Sequence, residues 1–299
     1  MRERSDVATF CAVTPSTTPR DEGRRVGWLD RRIESTETGA GNRRWYGGLL
    51  AALIALAIWW AVAATGRYPA ALLPPPQDVW DAFVQSITVH DGRTGLSGEF
   101  LWTHLLASLK RVLLGLVWAT VVGVPLGLVI GLSRWADRVV GPAVDFVRAL
   151  PPLGYYPLLI LWFGLADTSK IWLLFLAGVA PITLATAAGV ANVRHERVSA
   201  ALVLGAGRLD LIRYVVLPSV AGDVVAGIRV ASGFVWTTIV AAETINGIPG
   251  IGGLAWSSQK QLRADVAILA VIVIGITAIA IDAVLRLAER RLAPWRGRA

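Results

Sequence analysis

Apolar and polar positions fall along this chain in long blocks, not in short alternation. An uncharged run over 45–66 lies between Arg44 and Arg67 and contains Leu49-Leu50 and Trp59-Trp60. Roughly 20 apolar residues in helical form cross a bilayer core, so this run predicts a transmembrane helix. Trp45, Tyr46 and Tyr68 at its ends suit the two interfaces. A second span, 112–133, lies between Arg111 and Arg134 and is extended at its start by the helical stretch 101–110. A fourth covers 171–193, with Pro181 inside it; a fifth starts after Pro218 and runs to about Glu243; a sixth covers 266–285. The third is irregular. Asp145 and Arg148 sit early in it, its uncharged part is only 149–166, and Pro151, Pro152 and Pro157 interrupt it. Broken helices are tolerated in membranes where they line protein or a cavity, so these three prolines are read as a gate or kink. Asp223, Arg229 and Asp282 lie within later spans, which should therefore face a protein interior or a water-lined space.

The polar blocks divide the remainder. Residues 1–44 hold nine Arg and seven acidic residues with no apolar period, and read as a disordered cytoplasmic tail. Residues 67–100 form a periplasmic segment, with a proline stop at 74–76 and then a short amphipathic helix on Val79, Phe83 and Ile87. The helical core is 101–288, interrupted by a polar loop at 194–218, and a second cytoplasmic tail is 289–299. His104 is expected to be interfacial and solvated, Thr168 or Ser169 to cap a helix, and the Gly-rich 245–253 to be a flexible turn.

Composition agrees with the pattern. The chain of 299 residues is 55% hydrophobic and 17% charged, below the roughly 25% charge of soluble domains. Mean hydropathy is +0.56. The net charge of +8 would suggest nucleic acid in a soluble protein, but here the basic residues flank apolar spans. Arg134, Arg138, the Arg-rich loop 194–213 and the Arg-rich C-terminal tail fall on the same side as the N-terminus. The positive-inside rule places that side, and both termini, in the cytoplasm. The chain is thus expected to be an all-α, six-helix, multi-pass membrane protein surrounded by lipid, with no nucleic acid partner. Cys11 is the only cysteine, and the three histidines are scattered, so no metal-ligand spacing appears. A Walker-type phosphate loop is also missing, so ATP hydrolysis is not expected of this chain.

The loop Ser199–Pro218 is too polar for lipid and too helical for a plain connection. Ala200, Ala201, Leu204, Leu211, Ile212 and Val215 recur near helical spacing, and Gly205 and Gly207 break the pattern. Two short helices at a bend should project from the membrane there. Ser199-Ala200-Ala201, three residues, Gly205, nine residues and Val215-Val216-Leu217-Pro218 resemble the cytoplasmic "EAA" loop of bacterial ABC importer permeases. That pattern is Glu-Ala-Ala, three residues, Gly, nine residues, Ile-x-Leu-Pro. Ser199 replaces the Glu and Val215 the Ile. Pro151-Pro-Leu-Gly-Tyr-Tyr-Pro157, Trp162–Lys170, Trp236–Glu243 and Arg290–Trp295 are similar to the taurine, sulfonate and nitrate branch of these permeases.

The resemblance implies a type I ABC importer transmembrane domain in the cell inner membrane, working as a homodimer. Two ATPase subunits would carry the ATP, leaving this chain without a cofactor. A periplasmic binding protein would deliver a small organic anion, taurine or another alkanesulfonate, with nitrate, cyanate or an aromatic acid as alternatives. Ser199, Ala200, Ala201, Gly205, Ala206, Arg208, Leu217 and Pro218 would form the ATPase-coupling loop.

On the fifth span, Arg229, Gly233, Trp236, Val240 and Glu243 share one helical stripe. With Thr237 they are candidates for the translocation path. The other reading pairs Arg229 with Asp145 or Asp282 and has Glu243 cap an interface. An ion-coupled secondary transporter would need an inverted repeat, and a membrane enzyme a clustered His, Asp or Ser set. The sequence offers neither.

Overall fold

The computed structural model describes residues 40–90 and 93–292. The expected N-terminal tail up to residue 39 and the last residues of the C-terminal tail lie outside the described residues. The chain divides into two units, 1–62 and 63–299. The boundary falls within the last turn of helix α1 (Ala40–Ala64). The side chains of α1 from Leu50 to Ile58, and that of Trp60, are exposed and apolar on every side, as expected of a helix meant for lipid. Gly66 closes it with φ +63, its N–H donating a hydrogen bond to Ala63 O.

The second unit opens with α2 (Pro76–Ile87), with Pro76 in its first turn, where the missing N–H costs nothing. Val79, Ala82 and Ser86 form its buried face, while Ile87 is exposed. Two antiparallel two-residue strands follow, β1 (Val89–His90) and β2 (Arg93–Thr94), paired Val89 to Thr94 and His90 to Arg93. The purely helical expectation missed them because two residues leave no alternation to read.

The helical body consists of α3 (Leu101–Leu132), α4 (Arg134–Ala149), α5 (Pro152–Phe163), α6 (Asp167–Ala191), α7 (His195–Val203), α8 (Arg208–Asp210), a π-helical stretch (Leu211–Val216), α9 (Leu217–Asn246), α10 (Ile251–Lys260) and α11 (Ala264–Leu292). Four runs are long and apolar enough to cross a membrane: Leu101–Leu132, Asp167–Ala191, Arg208–Ile245 and Ala264–Arg291. The pair α4–α5 makes a fifth if its 96° elbow is counted as one span. The apolar part of α1, Leu50–Ala64, is shorter than these.

The elbow lies at Leu150-Pro151, where a residue before proline is driven out of the helical region. Pro157 does not break the chain as the sequence suggested; it sits inside α5. The fifth span also differs from expectation. It begins eleven residues earlier, at Arg208, and runs through Pro218 without a break. Proline lacks an N–H and crowds the carbonyl four residues back. The chain meets this by widening the preceding turn, so that Leu217 N–H donates to Ile212 O, five residues back.

Helix α6 is the centre of the body. Gly115, Ala119, Gly123, Gly127 and Gly131 recur every fourth residue along α3 and face it. A Cβ on Gly127 would stand 2.5 Å from Thr183 O, and one on Gly115 2.5 Å from Leu174 Cβ. Small residues of this kind let two membrane helices approach to backbone contact, where dispersion replaces the hydrophobic drive that lipid removes. On its other side α6 packs against α9, with Gly227 against Ala185. Val112, Leu174, Val235, Trp236 and Ile239 fill the core between the three helices.

Candidate functional site

Three features share the continuous helix Arg208–Ile245: a bend at one end, a cavity along its middle and a buried ionic cluster at the other end.

At the first end, α7 stops at Leu204. Gly205 takes φ +85, Gly205 N–H donates to Leu202 O and Ala206 N–H to Ala201 O. These two bonds and the left-handed glycine make a Schellman cap. Gly207 follows with an ordinary backbone, φ −72, and its N–H donates to Asp210 Oδ2 at 3.1 Å. Only Gly205 therefore uses the left-handed region. Ser199, Ala200, Arg208, Leu217 and Pro218 are exposed, and Ala201 and Ala206 half-buried. The bend also exposes large apolar side chains: Val203 at 88%, Leu204 at 87% and Leu209 at 78%. Arg197 reaches back to Ser219 Oγ at 3.5 Å and ties α7 to the start of α9.

A cavity of about 670 Å³ lies between the α4–α5 elbow, α6 and α9. Arg148, Leu150, Pro152 and Tyr155 line it from the elbow, and Pro181, Ala185 and Asn192 from α6. Asp223, Gly227, Val230 and Phe234 line it from α9. Pro152 thus reaches the cavity, while Pro151 holds the extended turn before it. Arg148 also pairs with Asp145 on its own helix at 3.4 Å.

The stripe read from the sequence does not face this cavity. Arg229 pairs with Asp282 at 3.3 Å and with Glu289 at 3.0 Å, across to α11. Trp236 is 4% exposed in the core, Glu243 is buried, and Gly233 and Thr237 are exposed without lining the cavity. The reason is chemical. Glu243 is drawn inward by Arg111, Ser108 and the Gly252 amide, and Arg229 turns towards the acids of α11.

Glu243 is the hub of the buried cluster. Ser108 Oγ donates to its carboxylate at 2.8 Å, Arg111 Nη1 at 2.6 Å and Gly252 N–H at 3.0 Å. Arg111 Nε donates in turn to Asp167 Oδ1 at 2.7 Å. Lys170, 3% exposed, lies one turn into α6 beside them. The N-terminus of α10 is buried here, and its Gly250 cap offers no side chain. Its first amides are satisfied from other helices: Ile251 N–H by Ser108 Oγ at 3.0 Å and Gly252 N–H by Glu243. A carboxylate beside the positive end of a helix is favourable as well as paired.

His104 belongs to the same cluster. It is fully buried; its Nδ1 accepts from Gly250 N–H at 3.1 Å and its Nε2 meets Leu96 O at 3.3 Å. The expectation of a solvated histidine fails because a carbonyl and an amide supply what water would. Gly247–Gly253 is likewise no loose turn. A Cβ on Gly247 or Gly250 would collide with Glu243, and one on Gly252 with Val240 O. Nor does Ser169 cap α6, since its hydroxyl donates to Ala166 O at 2.9 Å. No group able to hold a metal ion occurs among the described residues.

The model of the family "Binding-protein-dependent transport system inner membrane component" matches residues 123–297. The taurine transport system permease protein TauC of Escherichia coli (strain K12) is 38% identical over 250 residues, 84% of this chain and 89% of that one. The putative aliphatic sulfonates transport permease protein SsuC of the same strain is 34% identical over 240 residues, 80% and 88% of the two chains. The nitrate import permease protein NrtB of Leptolyngbya laminosa is 28% identical, covering 82% and 86%. Among solved structures, an inward-facing form of the MetNI methionine ABC transporter shares the fold. Its TM-score is 0.50 at 17% identity, over 62% of this chain and 96% of that one. The exposed helix bend, the elbowed span and the matches to permeases over more than half of the chain meet in one conclusion: this protein belongs to the binding-protein-dependent inner membrane components, as a multi-pass ABC importer permease subunit that is not itself an enzyme.

Proposed function

We propose that this permease carries a small organic anion, taurine or another alkanesulfonate, inward across the membrane as ATP is hydrolysed on separate subunits. The observation that carries the reading is the bend Ser199–Pro218, which exposes Val203, Leu204 and Leu209 at the end of a helix leading straight to the cavity. Exposed apolar side chains on a rigid helical corner suit a groove on a soluble partner. That partner is a pair of ATPase subunits, one for each copy of this chain in a homodimer. A periplasmic binding protein loads the opposite face. Both termini and the bend are cytoplasmic, following the arginines, and α1 with the elbowed α4–α5 completes six spans. The path runs through the cavity face Asp223–Phe234, with Gly233 and Thr237 facing the second copy and the Pro151-Pro152 elbow as the gate. Arg229, Trp236 and Glu243 support that wall from behind.

The substrate class follows the taurine and sulfonate relatives. Arg148 and Asn192 in the cavity supply donors for a sulfonate. Two measurements test the reading. Co-purification with the ATPase should be lost on Gly205→Pro or on deletion of 199–213; retention in both would refute the coupling role. The cognate binding protein should bind taurine or an alkanesulfonate in preference to nitrate; the reverse order would refute the substrate.

A further inference from the structure

The helix Arg208–Ile245 has three attachments, and their order along it is informative. The exposed bend is at its start, the cavity face Asp223–Phe234 at its middle, and the Glu243 cluster at its end. At a rise of 1.5 Å per residue, Gly227 lies about 29 Å from Arg208 and about 24 Å from Glu243. The far end is held with unusual completeness. Glu243 is bound by α3 through Ser108 and Arg111, and by α10 through Gly252. Arg111 carries the connection on to Asp167 at the start of α6. In the turn 247–253, Gly247 and Gly250 lie so close to Glu243 that neither leaves room for a Cβ. The carboxylate and its arginine together therefore join four helices and the turn. Structural stability alone does not require this. Apolar residues of similar volume serve as well or better at buried sites, and what an ion pair adds is a defined geometry.

We propose that Glu243 and Arg111 are positioning residues of the transport step. Their ion pair fixes the outer end of the helix, so that displacement of the bend tilts the helix and moves the cavity wall between the two ends. With the pair broken, the outer end and the turn 247–253 give way together, and movement of the bend no longer reaches the wall. The inference rests on the reading of Ser199–Pro218 as the ATPase contact.

The test uses the permease reconstituted in proteoliposomes with its ATPase subunit and binding protein. Glu243→Gln keeps the shape and removes the charge. The taurine carried per ATP hydrolysed should fall about tenfold, with ATPase co-purification unchanged. Ser108→Ala, which removes one donor and no charge, should lower the same ratio by a smaller factor and serves if Glu243→Gln does not reach the membrane. A ratio equal to wild type in either assembled variant overturns the proposal. A second readout is independent of the ATPase. With Phe234→Cys in a Cys11→Ser background, labelling from outside by a membrane-impermeant maleimide should change about tenfold in rate when Glu243→Gln is added. An unchanged rate also overturns it. Should the wild-type chain bind no ATPase while the labelling rate still shifts, the coupling reading fails and the clamp stands.

Discussion

Arg111 Nη1 and Glu243 Oε1 meet at 2.6 Å across 132 residues of sequence, with side-chain exposures of 5% and 0%. Removing Glu243 leaves the Arg111 guanidinium buried with its Nη1 partner gone and only the bond to the half-exposed Asp167 retained, and breaking a buried pair in this way typically costs about 3–5 kcal/mol. Glu243→Ala should therefore lower the thermal stability of the detergent-solubilised protein strongly, and Glu243→Gln less. Arg229→Ala supplies the contrast. Its pairs with Asp282 and Glu289 are 39% exposed on the arginine side, so solvent screens them and the loss should stay within about 1 kcal/mol. Melting curves of the three variants by a fluorescent size-exclusion assay decide the matter. Equal losses for Glu243→Ala and Arg229→Ala would contradict the burial argument.

The α3–α6 seam makes a second prediction. Gly127→Ala would place a Cβ 2.5 Å from Thr183 O, a backbone atom that cannot rotate away. Overpacking of this kind costs about 1–3 kcal/mol, and the helices must separate to relieve it. Gly275→Ala on α11 meets nothing within 4 Å and should be neutral or slightly stabilising. Thermal melts of the two variants side by side check the difference. A Gly127→Ala protein as stable as wild type would mean that the seam is looser than these distances state.

The long apolar blocks were legible because bilayer length is a one-dimensional property of a sequence. The bend was legible too, since Gly205, the polar residues around it and Leu217-Pro218 are all local signals. The ionic cluster was not. Ser108, Arg111, Asp167, Glu243 and Gly252 come from distant stretches, and although Glu243 stood out on its own span, nothing local named its partners. Arg229, Gly233, Trp236, Val240 and Glu243 all lie on α9, but they divide between exposed Gly233 and buried Trp236 and Glu243. The direction of the charged pair could not be read, because that depends on where Arg111, Asp282 and Glu289 arrive in space. One signal was available and missed. Gly123, Gly127 and Gly131 with Gly115 and Ala119 form a four-residue repeat, which marks a helix-packing face in any apolar segment.

The two glycines of the bend should behave differently. Gly205 sits at φ +85 with open space around it, so an alanine there meets no neighbour and suffers only the left-handed penalty of about 1–2 kcal/mol. Gly207 has φ −72, and its alanine would meet only Asp210 Oδ2 at 3.3 Å. Gly205→Ala should weaken ATPase co-purification by roughly tenfold if the strain is relieved by opening the bend. Gly207→Ala should leave it near wild type. Pull-down titrations of the two variants at matched expression distinguish them, and equal behaviour would show that the bend does not depend on its left-handed residue.

The cavity makes the last prediction, because it separates the passage from the scaffold around it. Val230 lines the cavity from α9 and is exposed there. Val271 on α11 is 63% exposed but lies away from the cavity. Val230→Trp fills space that a sulfonate would have to cross, and it disturbs no buried contact. Uptake by cells should fall by about tenfold or more while thermal stability and ATPase binding hold, since lost passage acts on the transport barrier alone. Val271→Trp adds the same bulk to a surface that suits lipid and should transport normally. Comparing initial uptake rates of the two tests the cavity as the route. Were both variants to transport at the wild-type rate, the route would have to run along another face of α9, with the exposed Gly233 and Thr237 the next positions to block.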